Sequence, residues 1–274
     1  MNFAVIVSTK DTASINIKDN LVGLYGFVET SELFEGRVVY KLHEKIKIYT
    51  TERDLLYCDE IDKEINADLF VFASRHESKN PLSCLACHSP GNWGDAKYGG
   101  RDKVLCVAPA KFLKICMEKL IENCPKDYQV IQECTHHGPF LDKPSCFVEI
   151  GSGQDEWACR EAGAAVARAL MQAVSSYVIG IEAKIVVGLG GLHHTPNFKK
   201  LVLNHGVALG HVCPKYMLGA LDRSVVIHAI ERTMEKADCI VLDWKGLGEY
   251  KQMVKDIVNG LQKNIEIKKI KDFK

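Results

Sequence analysis

The sequence predicts an α/β fold, a three-layer α/β/α arrangement around a mainly parallel, mixed sheet. Two observations lead there. Short runs of β-branched and aromatic residues alternate with longer runs whose apolar residues repeat at helical spacing. The glycine-rich polar segments that follow the strand-like runs also hold most of the histidines, as expected where strand ends open onto a cleft.

The elements follow in chain order. Phe3–Ser8 (FAVIVS) reads as a buried strand. Residues 37–49 alternate and read as a hairpin of two strands, and 68–73 (DLFVFA) as another buried strand. Residues 109–124 read as a helix with Pro109 in its first turn, where a missing N–H is harmless. Strands are expected at 128–133 (YQVIQE) and 145–150 (SCFVEI). The clearest helix comes next. Ala162, Ala165, Val166, Ala169, Leu170, Ala173, Val174 and Tyr177 keep i, i+3, i+4 spacing, with Ser152 and Asp155 ahead of them at capping-box spacing. Further strands are expected at 183–188, 207–211 and 239–243, and helices at 197–205, 222–235 and 250–263. No repeat or linker divides the chain, so 1–274 reads as a single domain, with two closely packed lobes as the alternative.

Composition narrows the class. The 274 residues are 47% hydrophobic and 26% charged, as in soluble globular proteins. Lys+Arg and Asp+Glu both number 35, so no broad basic field points to nucleic acid, and any such binding must rest on a local patch. The opening MNFAVIVSTKDTAS lacks a basic n-region, and no run is expected to span a membrane. A cytoplasmic monomer is the expectation, and its eleven cysteines should be buried thiols. One stretch argues otherwise: Cys84-x-x-Cys87-His88 spells a c-type haem attachment site. Such attachment takes place across a membrane, and haem needs a second axial ligand in a small wrapping fold, so no haem is expected. Nor does a second Cys or His pair follow at finger-like spacing. His88 is the informative residue there.

Seven of the ten histidines fall at expected strand ends: His76, His88, His136, His137, His193, His194 and His211. With Glu133 and Glu149 they describe a cleft suited to metal-assisted or hydrolytic chemistry, because imidazole and carboxylate are good zinc ligands and proton carriers. Adjacent histidines in a strand face opposite ways, so His136 and His137 serve one site only from a turn, which Gly138-Pro139 supplies. Backbone N–H groups at Gly190-Gly191 are candidates for an oxyanion hole. The P-loop, H-E-x-x-H and G-x-S-x-G motifs are missing, and GLGGLHH lacks the third glycine of a dinucleotide fingerprint.

The motifs SRHES (74–78), CHSPGN (87–92), ECTHHGP (133–139), FVEIGS (147–152), GLGGLHHTP (188–196) and LGHVCPKY (209–216) resemble, in this order, those of the archaeal and plant type of D-aminoacyl-tRNA deacylase. The resemblance implies a phosphorylase/hydrolase-like fold similar to that of peptidyl-tRNA hydrolase. It implies cleavage of the ester between a D-amino acid and tRNA, with one or two zinc ions per chain. Joined to the strand-end cluster, it makes His76, His88, His136 and His211 the expected metal ligands, and Glu133, Glu149, His137 and His193 the expected catalytic groups. Arg75, Asn92, Gly190, Gly191 and Trp157 are expected to contact substrate, Trp157 and Trp93 by stacking on the terminal adenine. The family pattern continues the glycine motif with His-Tyr, where this chain has His193-His194. The alternatives are a metallopeptidase or nucleoside-processing enzyme of related fold, and a non-enzymatic RNA-binding protein. For the last, Lys199-Lys200, Lys268-Lys269 and the Lys-rich tail 263–274 are a thin basic surface.

Overall fold

The computed structural model describes residues 1–78, 82–261 and 265–273. The chain runs β1 (Phe3–Ser8), α1 (Thr12–Tyr25), β2 (Val28–Phe34), β3 (Arg37–Leu42), β4 (Ile46–Thr51), β5 (Leu69–Glu77), β6 (Cys84–His88), α2 (Ala110–Asn123), β7 (Gln129–Gln132) and β8 (Ser145–Ser152). It continues with α3 (Gln154–Ala158), α4 (Arg160–Ile179), β9 (Lys184–Leu189), α5 (Pro196–Asn204), β10 (Val207–Cys213), α6 (Arg223–Glu231), β11 (Cys239–Leu242), α7 (Lys251–Asn259) and β12 (Glu266–Lys269).

Two sheets result. The larger has the order β2-β3-β4-β1-β5-β8-β6-β7 and is mixed. Its centre β4-β1-β5-β8 is parallel, β2-β3-β4 is an antiparallel meander, and β6 runs antiparallel to β8 with β7 parallel to β6. The smaller sheet, β10-β9-β11-β12, is all parallel.

Side chains alternate across a strand, and the alternation divides the core. On one face of the large sheet, Val5, Val71, Ala73, Leu85, Val148 and Ile150 pack with buried residues of α1, α2 and α4. Val186, Leu209 and Val241 of the small sheet join the same cluster, so the two sheets share one apolar core. On the other face, Ala4, Ile6, Phe70, Phe72 and Phe147 pack against Leu55, Ile61 and Leu141. Val187, Leu189, Ile240 and Leu242 of the small sheet meet Val225, Val226, Val254 and Val258 of α6 and α7.

Several expectations are corrected. α1 and β2 were not foreseen. Ser152 does not cap the long helix; it ends β8, and its hydroxyl bonds the Leu82 backbone. The short α3 intervenes, and α4 begins after Cys159. Pro109 is the N-cap of α2, one residue before its first turn. The helix expected at 222–235 stops at Glu231, and that expected at 250–263 is Lys251–Asn259, with 262–264 outside the described residues. α4 has the length and hydropathy of a spanning segment, contrary to expectation, but 56% of that window is buried, as in a core helix. Cys84 and Cys87 lie in separate clusters on opposite faces of β6.

Candidate active site

The site lies on a face of the large sheet. Register pairs Ser74 with Glu149 and Glu149 with Ala86, His76 with Gly151 and Gly151 with Cys84, and Phe147 with His88. His76, Glu149 and His88 therefore project from three neighbouring strands to one side. The single carboxyl edge expected from the sequence is not what brings them together, since β6 runs against β8. His76 sits inside β5 rather than beyond it. Room for its ring comes from Gly151, where a Cβ would lie 2.7 Å from His76 Cδ2. The His88 ring stacks on Phe147 with centroids 5.2 Å apart.

Two loops close over this face. β7 ends at Gln132, and 133–138 turn across the site. His137 has φ 43°, which turns its ring to the same side as His136, with centroids 4.2 Å apart. The turn is held by Gly91 N–H, which donates to the His137 carbonyl (2.7 Å), and by Gly138 N–H, which donates to the Tyr98 carbonyl (2.8 Å). The second loop leaves β9 through Gly190 and Gly191, at φ 99° and 89°. It is tied to the first by Cys134 N–H donating to the His193 carbonyl (2.8 Å) and Thr195 Oγ1 donating to the Gln132 carbonyl (2.6 Å).

Glu133 is thereby buried among imidazoles. His193 Nε2 lies 2.8 Å from its Oε1, His194 Nε2 3.8 Å from the same atom, and His76 Nδ1 3.2 Å from its Oε2. None of these contacts is aligned as a hydrogen bond, so both carboxylate oxygens, together with His88 Nε2, are buried polar atoms without a hydrogen-bond partner. Glu149 adds an oxygen 3.8 Å from both His76 Nδ1 and His88 Nε2. His193 Nδ1 meets the Tyr216 hydroxyl at 3.0 Å and Cys134 Sγ at 3.4 Å.

The electrostatics separate the groups. Burial disfavours charge on Glu133, yet the His193 and His76 imidazoles hold its carboxyl well below the usual range. Burial, and then the Glu133 charge, push Glu149 well above it. The two carboxyls are pushed apart, Glu133 toward the ionised form and Glu149 toward the protonated one, the pattern that divides base from acid. Burial lowers His88 to about 4 and His137 to about 3, and drives His136 well down. Each is thus held toward the neutral form, the one in which an imidazole can bind a metal. Burial opposes charge on His193 as well, but Cys134 and Glu133 raise it to about 10.

The donor set fits a metal ion. The ligand nitrogens of His88, His136 and His137 lie within 4.8 Å of one another, as do those of His76 and His194 with a Glu133 oxygen. In the first group each Nδ1 faces a backbone carbonyl: Ser89 at 3.2 Å, Cys134 at 2.9 Å and Gly138 at 2.6 Å. An Nδ1–H donated there leaves every Nε2 lone pair for a ligand.

Not every expected residue is in place. His211 is fully buried behind the first loop. Thr135 Oγ1, which accepts from Val212 N–H, lies 3.1 Å from His211 Nδ1, and His211 Nε2 faces the Cys106 and Arg232 carbonyls at 3.1 and 3.2 Å. Both ring nitrogens face protein partners, so His211 pins the loop from behind and stands apart from the His88, His136 and His137 group. Gly190 and Gly191 donate their N–H groups to the Cys213 and Gly246 carbonyls, at 2.7 and 3.3 Å, and form no oxyanion hole. Trp157 lies outside the cleft lining, and its Nε1 holds the His76 carbonyl at 3.0 Å. Arg75, Asn92 and Trp93 do line the cleft, a cavity of about 930 Å³ with His76, His136, His137, Glu149 and His193 in its wall. His194, one of the seven strand-end histidines, stands at Glu133, while Asp11, Cys134 and Tyr216 belong to the site or its frame without having been singled out.

A buried histidine–carboxylate centre on the sheet face of an α/β fold, open to a large cleft, defines an enzyme of the acid–base, metal-competent class. Comparison with known proteins is more particular. The family model for D-aminoacyl-tRNA deacylase matches residues 63–267. A D-aminoacyl-tRNA deacylase of Thermococcus kodakarensis is 39% identical over 94% of this chain and 97% of its own, and one of Archaeoglobus fulgidus is 33% identical over 93% and 91%. A crystal structure described as a conserved protein of unknown function has the same fold, with a TM-score of 0.89 at 32% identity over 99% of this chain and 96% of that one. The chain belongs to the D-aminoacyl-tRNA deacylase family.

Proposed function

We propose that this protein hydrolyses the ester joining a D-amino acid to the terminal ribose of tRNA, releasing free amino acid and tRNA. The observation that carries the reading is the buried Glu133 between His76 and His193, just behind the wall of a cleft that these two imidazoles line with His136 and His137, and that is large enough for an aminoacyl ester.

His88, His136 and His137 would hold a zinc ion. When bound, zinc supplies Lewis acidity to the ester. Glu133 takes the proton from the attacking water, since its neighbours keep it ionised. His193, raised to about 10, carries a proton for the departing ribose oxygen, and the Tyr216 hydroxyl fixes its ring through Nδ1. Protonated Glu149 holds the proton that lets two carboxyl groups share one site. His76 keeps Glu133 aimed from β5.

The test is release of tyrosine from D-tyrosyl-tRNA and L-tyrosyl-tRNA, side by side, with and without a zinc chelator. The expected result is chelator-sensitive release from the D-form alone. No release from either would overturn the substrate, and full activity in a rigorously metal-free preparation would overturn the zinc.

A further inference from the structure

A second cavity, of about 310 Å³, lies beside the first, lined by Gly191, Leu192, His193, Lys215, Tyr216 and Glu249 with Tyr250. His193 and Tyr216 line both cavities, so their side chains form the partition between them. The two rings are stacked, with centroids 6.1 Å apart and planes at 23°. Leu192 and Tyr216 are nevertheless 69% and 59% exposed, although large apolar side chains gain by being covered. They are also held in position: Lys215 N–H donates to the Gly191 carbonyl at 2.9 Å, joining the loop after β9 to the segment before Tyr216.

We infer that this small cavity seats the terminal nucleobase of the aminoacyl-tRNA, and that the large cleft takes the aminoacyl group. The inference rests on the proposed function. The ester must lie at His193, which is on the partition with Glu133 2.8 Å behind its Nε2, so the base and the amino acid fall on opposite sides of it. The chemistry of the two cavities decides which goes where. The large cleft presents the carboxylates of Asp11, Asp54, Glu77 and Asp95, which suit a group bearing an α-ammonium. The small one presents an aliphatic side chain and two phenol rings, which suit the face of a purine. A volume of about 310 Å³ is at the lower end for ligand pockets, which run from roughly 300 to 1,000 Å³, and matches a flat bicyclic ring better than a chain of nucleotides.

Leu192→Glu tests this, since the side chain is exposed and lines the small cavity but not the large cleft. Steady-state kinetics are measured on D-tyrosyl-tRNA, and on D-tyrosyl-tRNA whose last nucleotide lacks its base. In the wild type, removal of the base should raise KM by roughly tenfold, the scale of one base–aromatic stack. Leu192→Glu should raise KM similarly on the intact substrate, with kcat within about twofold, and have no further effect on the abasic one. Equal losses on both substrates, or none on either, would overturn the inference. So would a variant whose loss is large for D-tyrosyl-tRNA and absent for D-alanyl-tRNA, because the cavity would then hold the amino-acid side chain. A wild type inactive on D-tyrosyl-tRNA refutes the proposed function instead, so the two failures are distinct.

Discussion

Asp11→Ala should destabilise the protein by several kcal/mol. The Asp11 carboxylate caps α1 by accepting from Ser14 N–H at 3.0 Å, and accepts from the Ser74 hydroxyl and Arg75 N–H at 2.9 Å each, in a side chain only 5% exposed. Loss of the cap acceptor costs about 1 kcal/mol. The two other donors, left unpaired in a buried place, cost about 1–2 kcal/mol each, giving about 3–5 kcal/mol in all. At roughly 2–4 °C per kcal/mol for a chain of this size, Tm should fall by about 6–20 °C. Calorimetry of the wild type, Asp11→Ala and Asp11→Asn reads this directly. Asparagine keeps the cap acceptor but offers Ser74 and Arg75 an amide, so it should fall between the other two. A Tm for Asp11→Ala within about 2 °C of wild type would refute the claim that this carboxylate ties β5 to α1. Ser74 and Arg75 precede His76 in β5, so deacylation per folded molecule should drop as well.

Other outcomes follow from the same geometry. Glu133→Gln should lose about 10²–10⁴-fold in kcat, with an unchanged circular dichroism spectrum. His137→Ala should lose bound zinc, read by elemental mass spectrometry, whereas His211→Gln should keep it and lose stability. His211 is also a source of acid sensitivity, since burial lowers it from 6.5 to about 4. Below pH 6.5 the unfolded chain takes up a proton that the folded one refuses, so this contribution is present above 6.5 and is lost as pH falls toward 4. Urea midpoints at pH 7 and pH 5 should therefore differ less for His211→Gln than for wild type. Gly138→Ala should be destabilising by at least about 1–3 kcal/mol in urea unfolding, because its Cβ would stand 2.4 to 2.5 Å from the Gly99, Gly100 and Leu56 backbone.

The elements readable in the sequence are those whose burial is one-sided or complete. FAVIVS and DLFVFA are buried on both faces and have no other reading. α4 shows its buried stripe as a run of alanines. α1 was missed because its buried face includes Ser14, and Asn16, Asn20 and Lys18 dilute the rest. β2 was missed because it is an edge strand with a mostly exposed pattern. In the site, clustering of the histidines was legible, and so was the turn that turns His136 and His137 the same way. Their placement on a sheet face was not, although period-two spacing in Ser74/His76, Phe147/Glu149/Gly151 and Ala86/His88 carries that signal. The place of His211 behind the loop was not legible, because a histidine that bolts a loop to a strand looks, in sequence, like one that holds a metal. The glycines after β9 misled because their N–H groups were counted as free when the neighbouring strand and loop consume them.

The imidazoles of His88, His136 and His137 are all oriented by main-chain carbonyls within two residues of themselves. An orienting side chain can be lost by one substitution, whereas a carbonyl is supplied by every amino acid. The orientation of these rings is thus set by the path of the chain, and the side chains around them are free to drift. If the proposed zinc is held here, randomising Ser89 should leave its affinity untouched where randomising Gly138, whose carbonyl position depends on a tight turn, should not.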